Sequence, residues 1–177
     1  NHRKPETIET DIIVEFKNVY LRYKNAGDYS LSNINFKVRR GETIGIIGGT
    51  GSGKSSLVNL IPRFYDATSG EVNIDGVNVK DYPVEELRRK IAVVPQKAVL
   101  FKGTVRDNIL WGKNDASDEE IFDALTIAQA KEMVESKGGL DFEIEQGGRN
   151  LSGGQKQRLT IARALVRKPE ILILDDS

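Results

Sequence analysis

Residues 48–55 read Gly-Gly-Thr-Gly-Ser-Gly-Lys-Ser, which fits G-x-x-x-x-G-K-[ST], the spacing of a phosphate-cradling loop. Glycine lets a backbone come close to an anion and take up strained angles. The N–H groups of Gly51, Ser52, Gly53 and Lys54 can converge on one phosphate, and a helix starting there adds partial positive charge. Lys54 is the candidate to hold the β- and γ-phosphates of a nucleotide, and Ser55 to set its hydroxyl on Mg²⁺. Gly49, Thr50 and Ser56 complete the candidate phosphate-binding set. A glycine-rich turn that merely precedes Lys-Ser is the bland alternative, and the flanks argue against it. Thr43-Ile44-Gly45-Ile46-Ile47 is short, apolar and β-rich, as a buried strand should be. Ser55-Ser56-Leu57-Val58-Asn59-Leu60-Ile61 reads as a helix that stops at Pro62.

A second anion-ready helix start lies at Leu151-Ser152-Gly153-Gly154-Gln155. Ser152 and Gln155 form an S-x-x-Q capping box, and the first turn carries no acidic residue. Gly153 and Gly154 leave backbone N–H groups open to a ligand. An ordinary capped helix would show the same residues. Two such starts against a single γ-phosphate are reconciled if a nucleotide lies between residues 48–55 of one chain and Ser152-Gly153-Gly154 of another, which spacing alone does not establish.

The elements that must position these residues are legible in outline. Short β-type runs are expected at 12–16, 19–23, 34–38 and 43–47, with turn signals at 25–28 and 40–42. A strand at 70–76, a short helix at 84–90 and a strand at 91–94 follow. From Lys97 to Lys168 no convincing strand is visible, and helices are expected at 105–110, 118–127, 128–136 and 152–166. The last run, Ile171-Leu172-Ile173-Leu174, is apolar on both faces and reads as a buried parallel strand. The expected fold is α/β, a P-loop NTPase core with a mostly parallel sheet, an antiparallel β subdomain and a helical insert. At 177 residues this is one domain or most of one. Its 26 basic and 26 acidic residues balance, so no global field argues for nucleic acid or a membrane surface. The absence of cysteine excludes disulfides and thiolate metal sites. No apolar run approaches the ~20 residues of a membrane helix. The start at Asn1, with Met133 the only methionine, and the end just past an apolar strand lead us to expect a chain truncated from a longer one.

Leu151-Ser152-Gly153-Gly154-Gln155 followed by Lys156-Gln157-Arg158-Leu159-Thr160-Ile161-Ala162-Arg163-Ala164-Leu165 resembles the signature segment of ABC transporter ATPase domains. The resemblance covers residues 12–177. It implies ATP and Mg²⁺ as cofactors and gives further residues their roles. Tyr23 matches the aromatic residue on which adenine stacks, where a plain strand-core tyrosine is the alternative. Gln96, after Val93-Val94-Pro95, matches the glutamine that touches Mg²⁺ and the attacking water and joins the core to the insert. Asp175 matches the Walker B aspartate that holds Mg²⁺ through water, in keeping with ligands gathering at the carboxyl ends of parallel strands. Phe101-Lys102-Gly103-Thr104-Val105-Arg106-Asp107-Asn108-Ile109 and Gly70-Glu71-Val72-Asn73-Ile74-Asp75-Gly76 resemble the exporter subgroup. The resemblance implies residues 1–11 as a linker from a membrane domain, 12–96 and 169–177 as the ATP-binding core, and 97–168 as a helical subdomain docked on that membrane domain. It also implies a second nucleotide-binding domain as partner and a place on the cytoplasmic face of a membrane.

Three departures from the family pattern bear on function. Asp176 stands where most active members carry the glutamate that activates water. Its carboxylate reaches about 1.5 Å less far, and a misplacement of ~1 Å can cost on the order of a hundredfold. Slow hydrolysis at this site is therefore expected, with a heterodimer favoured over a homodimer; a small backbone shift that makes Asp176 competent is the alternative. The loop Glu145-Gln146-Gly147-Gly148-Arg149-Asn150 differs from the commoner exporter loop. No switch histidine follows Walker B, since the only histidine is His2. Arg158, Arg163, Arg167 and Lys168 are read as solvating one helix, the last two favouring its C-terminal dipole, and no nucleic-acid partner is expected. The competing readings are a non-transport ABC-type ATPase and a nucleotide-binding regulatory module with little hydrolysis. The absence of heptads between Lys54 and Ser152 excludes the coiled-coil repair type.

Overall fold

The computed structural model describes residues 11–24, 27–42 and 54–175. The chain divides into two compact units, one running to Arg89 and the other starting at Lys90. Each has strands of its own.

In the first unit, β1 (Ile12–Leu21), β2 (Leu31–Arg39), β3 (Ser69–Ile74) and β4 (Val77–Asn78) form an antiparallel sheet in the order β2-β1-β3-β4. The two runs expected at 12–16 and 19–23 are one strand, interrupted by register shifts against both neighbours. Those irregularities break strict alternation, so Ile13, Val14, Phe16, Val19 and Leu21 are all buried. Phe16 stacks on its cross-strand partner Phe36 at 4.5 Å between centroids. Asn18 sits at the irregularity with φ 48°. Opposite it, Gly70 has φ 83°, and a Cβ there would lie 2.2 Å from the Asn18 carbonyl oxygen, so only glycine fits. Beyond β3 the buried Asp75 pairs with Arg40, and its N–H donates to the Ile13 oxygen at 2.9 Å. Helix α1 (Lys54–Leu60) buries Leu57, Val58 and Leu60. Helix α2 (Val84–Arg89) places Glu85 and Glu86 in its first turn and Arg88 and Arg89 in its last, matching its dipole. The strand expected at 43–47 lies outside the described residues.

In the second unit, β5 (Ile91–Pro95) and β8 (Ile171–Asp175) pair in parallel, from Ile91↔Ile171 through Pro95↔Asp175. The chain between them is mostly helical: α3 (Val105–Leu110), α4 (Asp118–Ile127), α5 (Lys131–Ser136) and α6 (Gly153–Leu165). Leu100, Val105, Ile109, Ile121, Leu125, Val134, Ile144, Leu159 and Val166 form its core. The reading of 97–168 as strand-free needs correction, because β6 (Gly103–Thr104) pairs antiparallel with β7 (Glu143–Ile144). The helix expected over 128–136 begins only at Lys131: Gln129 adopts φ 58°, which an α-helix cannot continue through. Among the described residues no helix is long and apolar enough to cross a membrane.

Candidate functional site

Each unit carries part of the expected site. In the first, Tyr23 lies two residues past β1 and is half-buried. Thr68 holds the exit of that strand, its N–H donating to the Tyr20 oxygen at 2.8 Å and its Oγ1 accepting from the Arg22 N–H at 2.9 Å. The Tyr23 hydroxyl donates to the Oγ of Ser56, itself 8% exposed, at 2.8 Å. Tyr23 is thereby fixed against the first turn of α1, the helix that begins at Lys54. Tyr65 meets the Tyr23 ring edge-on at 5.1 Å. Sequence reasoning missed Tyr65, which lies in a non-periodic turn after Pro62. Gly49, Thr50, Gly51, Ser52 and Gly53 lie outside the described residues, as do the side chains of Lys54 and Ser55.

In the second unit the parallel register fixes two expected residues. Gln96 is exposed and follows directly on Pro95, whose partner in β8 is Asp175. Gln96 and the closing residue of β8 therefore come together at the carboxyl ends of two paired strands, where α/β folds gather ligands. The side chain of Asp175 and the whole of Asp176 lie outside the described residues.

Ser152 caps α6 in extended geometry, φ −69° and ψ 163°. Its Oγ accepts from the Gln155 N–H at 3.1 Å, and its own N–H donates to Gln155 Oε1 at 3.0 Å. The S-x-x-Q capping box is thus formed. Gln155 is spent on the cap, while Ser152, Gly153 and Gly154 are exposed. A Cβ at Gly153 would meet nothing within 4 Å, and one at Gly154 would meet only Arg158 Nη1 at 4.0 Å. An uncovered helix N-terminus of this kind, with no acidic residue in its first turn, attracts anions. Gly153 and Gln96 line one open cleft of about 820 Å³, together with Lys97, Val99, Gly147 and Lys156.

The reading of Arg163 as a solvated residue is overturned. Leu159, Ala162, Arg163 and Val166 recur at helical spacing, so Arg163 shares the stripe that carries three buried apolar residues. It is half-buried, and burial lowers its pKa from the ordinary guanidinium value. The guanidinium donates to the backbone oxygens of Val99 and Asn108. Lys168, by contrast, lies on the surface 3.8 Å from Glu120.

Comparison with known proteins places this geometry in a family. The family pattern described as ABC transporter matches residues 31–177. An uncharacterized ABC transporter ATP-binding protein, YfiB of Bacillus subtilis (strain 168), is 52% identical over 165 residues, covering 93% of this chain and 29% of that protein. A putative multidrug export ATP-binding/permease protein, YgaD of the same organism, is 45% identical over 98% of this chain and 31% of its own length. The ATP-dependent lipid A-core flippase of Pasteurella multocida (strain Pm70) is 45% identical over 93% of this chain and 28% of its own length. Among solved structures, a bacterial Atm1-family ABC exporter with ATP bound superposes with a TM-score of 0.77 at 35% identity, covering 96% of this chain and 30% of that one. The chain thus spans about three tenths of the length of these relatives. Its capped, uncovered α6 start and its Gln96 at the end of a parallel strand are carried by a chain that belongs to the ABC transporter family.

Proposed function

We propose that this chain is the nucleotide-binding domain of an exporter, and that it binds and hydrolyses ATP to power transport across a membrane. The observation that carries the reading is the uncovered N-terminus of α6 opening on the same cleft as Gln96. In this reading residues 48–55 cradle the phosphates, with Gly49 to Gly53, Lys54, Ser55 and Ser56 in contact with the nucleotide, while Tyr23 stacks on the adenine. Ser55, Gln96 and Asp175 present a hydroxyl, an amide and a carboxylate, an all-oxygen donor set suited to Mg²⁺. The ion would supply charge neutralisation at the phosphates. Ser152, Gly153 and Gly154 bind the γ-phosphate of a nucleotide held by a second nucleotide-binding domain, with Gln155 securing the cap. Residues 12–96 and 169–177 act as the ATP-binding core and 97–168 as the helical subdomain that meets the transmembrane part, on the cytoplasmic face.

Asp176 in the water-activating position makes this chain the slow half of a heterodimer, lending an intact signature to its partner. The test is ATP hydrolysis of the native protein against Asp176→Glu, with the partner site inactivated. We expect a rise of about tenfold or more, since restoring reach of ~1 Å recovers part of a hundredfold loss. An unchanged rate would mean that Asp176 is a competent base and that a symmetric homodimer is the better reading. Loss of Mg-ATP binding on Lys54→Ala, read by equilibrium titration, checks the binding step separately. Unchanged affinity would remove the phosphate role of Lys54.

A further inference from the structure

The loop from Gln96 to Lys102 has no regular secondary structure, yet side chains from two helices hold it. Asn108 of α3 is 1% exposed. Its Oδ1 accepts from the Phe101 N–H at 2.9 Å, and its Nδ2 donates to the Phe101 oxygen at 2.9 Å and the Thr104 oxygen at 3.0 Å. Arg163 of α6 reaches the same segment. Its Nη1 donates to the Val99 oxygen at 2.7 Å, its Nε to the Asn108 backbone oxygen at 3.0 Å and its Nη2 to Asn108 Oδ1 at 3.3 Å. The guanidinium carbon also lies 5.4 Å from the centre of the Phe101 ring. Among the described residues Arg163 has no carboxylate partner, so its three nitrogens serve neutral acceptors only.

A half-buried cation satisfied by carbonyls is a costly choice if the position needs only packing. What arginine adds is a rigid planar fork that can address three separate acceptors, which lysine cannot do. The backbones around it leave little play. A Cβ at Gly112, just past α3, would lie 2.0 Å from the Arg163 oxygen. The end of α3, the last turn of α6 and the loop at 99–101 are therefore fastened to one another. Gln96 stands at the start of that loop, and Ser152 at the start of that helix.

We propose that Arg163 is a positioning residue for Gln96: it locks the loop behind Gln96 to the helix that begins at Ser152, so that Gln96 follows that helix. The proposal rests on the ATP-hydrolysing function above. A displacement of α6 on engaging a phosphate passes directly through the Arg163 hydrogen bond to Val99, and by way of Asn108 through its bonds to Phe101, and reaches Gln96 three residues upstream of Val99. Arg163 itself touches no substrate.

Two measurements test this. Hydrogen exchange compares the native protein with Arg163→Leu, which keeps apolar volume, and Arg163→Lys, which keeps charge. In both variants the Phe101 amide exchanges about tenfold faster, while amides of β1 and α4 keep their native rates. Unchanged exchange at Phe101, or an acceleration shared equally by α4, overturns the lock. Steady-state hydrolysis then reads its consequence. We expect kcat about tenfold lower with KM for ATP within about twofold, and no further loss when Arg163→Lys is added to Gln96→Ala. Additive losses, or a raised KM with kcat unchanged, overturn the role. A native protein that hydrolyses no ATP removes the proposed function instead, and exchange still decides whether the loop is locked.

Discussion

Tyr23 combines a role in the fold with a proposed role toward a ligand. Its hydroxyl is engaged with the buried Ser56 Oγ, while its ring is the surface proposed to stack on a base. The two roles separate on substitution. Tyr23→Phe keeps the ring and orphans Ser56, so we expect a stability loss of about 1 kcal/mol with ATP affinity nearly unchanged. Tyr23→Ala removes stacking worth roughly 1–3 kcal/mol and weakens ATP binding about tenfold or more. Thermal unfolding and a fluorescent-nucleotide titration read the two effects side by side; equal affinity for all three proteins would sink the stacking role. The sequence resemblance pointed to Tyr23, but the bond to Ser56 joins residues 33 positions apart and leaves no local signature. Arg163 is the opposite case. The apolar stripe of α6 runs straight through it, a local signal that the reading of Arg163 as a solvated residue passed over because of its charge.

At the scale of elements, the most legible features are helix starts. Thr104 with Asp107, Ser117 with Glu120 and Ser152 with Gln155 all form reciprocal capping boxes. Each depends on residues three apart, which is why the boundaries of α3 and α4 could be read from sequence. The β6–β7 ladder could not, because two-residue strands have no period, nor could the left-handed Gln129 that separates α4 from α5. The α4 cap carries a pH signature. Hydrogen bonds from Lys113 first, then from the Ser117 backbone, with Lys113 and Lys168 charges adding, hold the Glu120 carboxyl at about 2, below the usual 4.5. A carboxylate with a depressed folded pKa stabilises the protein above its unfolded pKa, and that contribution is lost as pH falls through the folded value. The Glu120 contribution is thus complete above pH 4.5 and gone near pH 2. We expect the Tm gap between native protein and Glu120→Gln to be small at neutral pH, because the pair is at the surface, and to close over that window. A gap that stays constant with pH would mean that the loss is one of packing, not of ionisation.

At the scale of the whole molecule, one chain carries two stretches proposed to bind a phosphate, which a single nucleotide cannot use in the same way. Residues 48–55 run into the first turn of α1 in the first unit, and Ser152-Gly153-Gly154 open α6 in the second. If each nucleotide is completed by another copy of this chain, the homodimer that stands as the alternative to the heterodimer, the defects of two inactive variants should complement one another. Lys54→Ala destroys the phosphate loop and leaves the signature; Ser152→Arg fills the open start of α6 and leaves the loop. Both are made in the Asp176→Glu background, so that hydrolysis is fast enough to follow. Each variant alone has no intact composite site. In an equimolar mixture half of the pairs are mixed, and each mixed pair regains one site of two, giving roughly a quarter of the parental rate for a two-fold assembly. The regained activity should also fall on dilution, since it depends on association. If the mixture is as inactive as its parts, Ser152-Gly153-Gly154 serve no nucleotide held by another copy of this chain. Recovery in the mixture requires a site built from two chains, because neither variant carries both stretches intact; a mixture without activity is the outcome expected if both stretches serve the same chain's nucleotide or if the partner is a different chain.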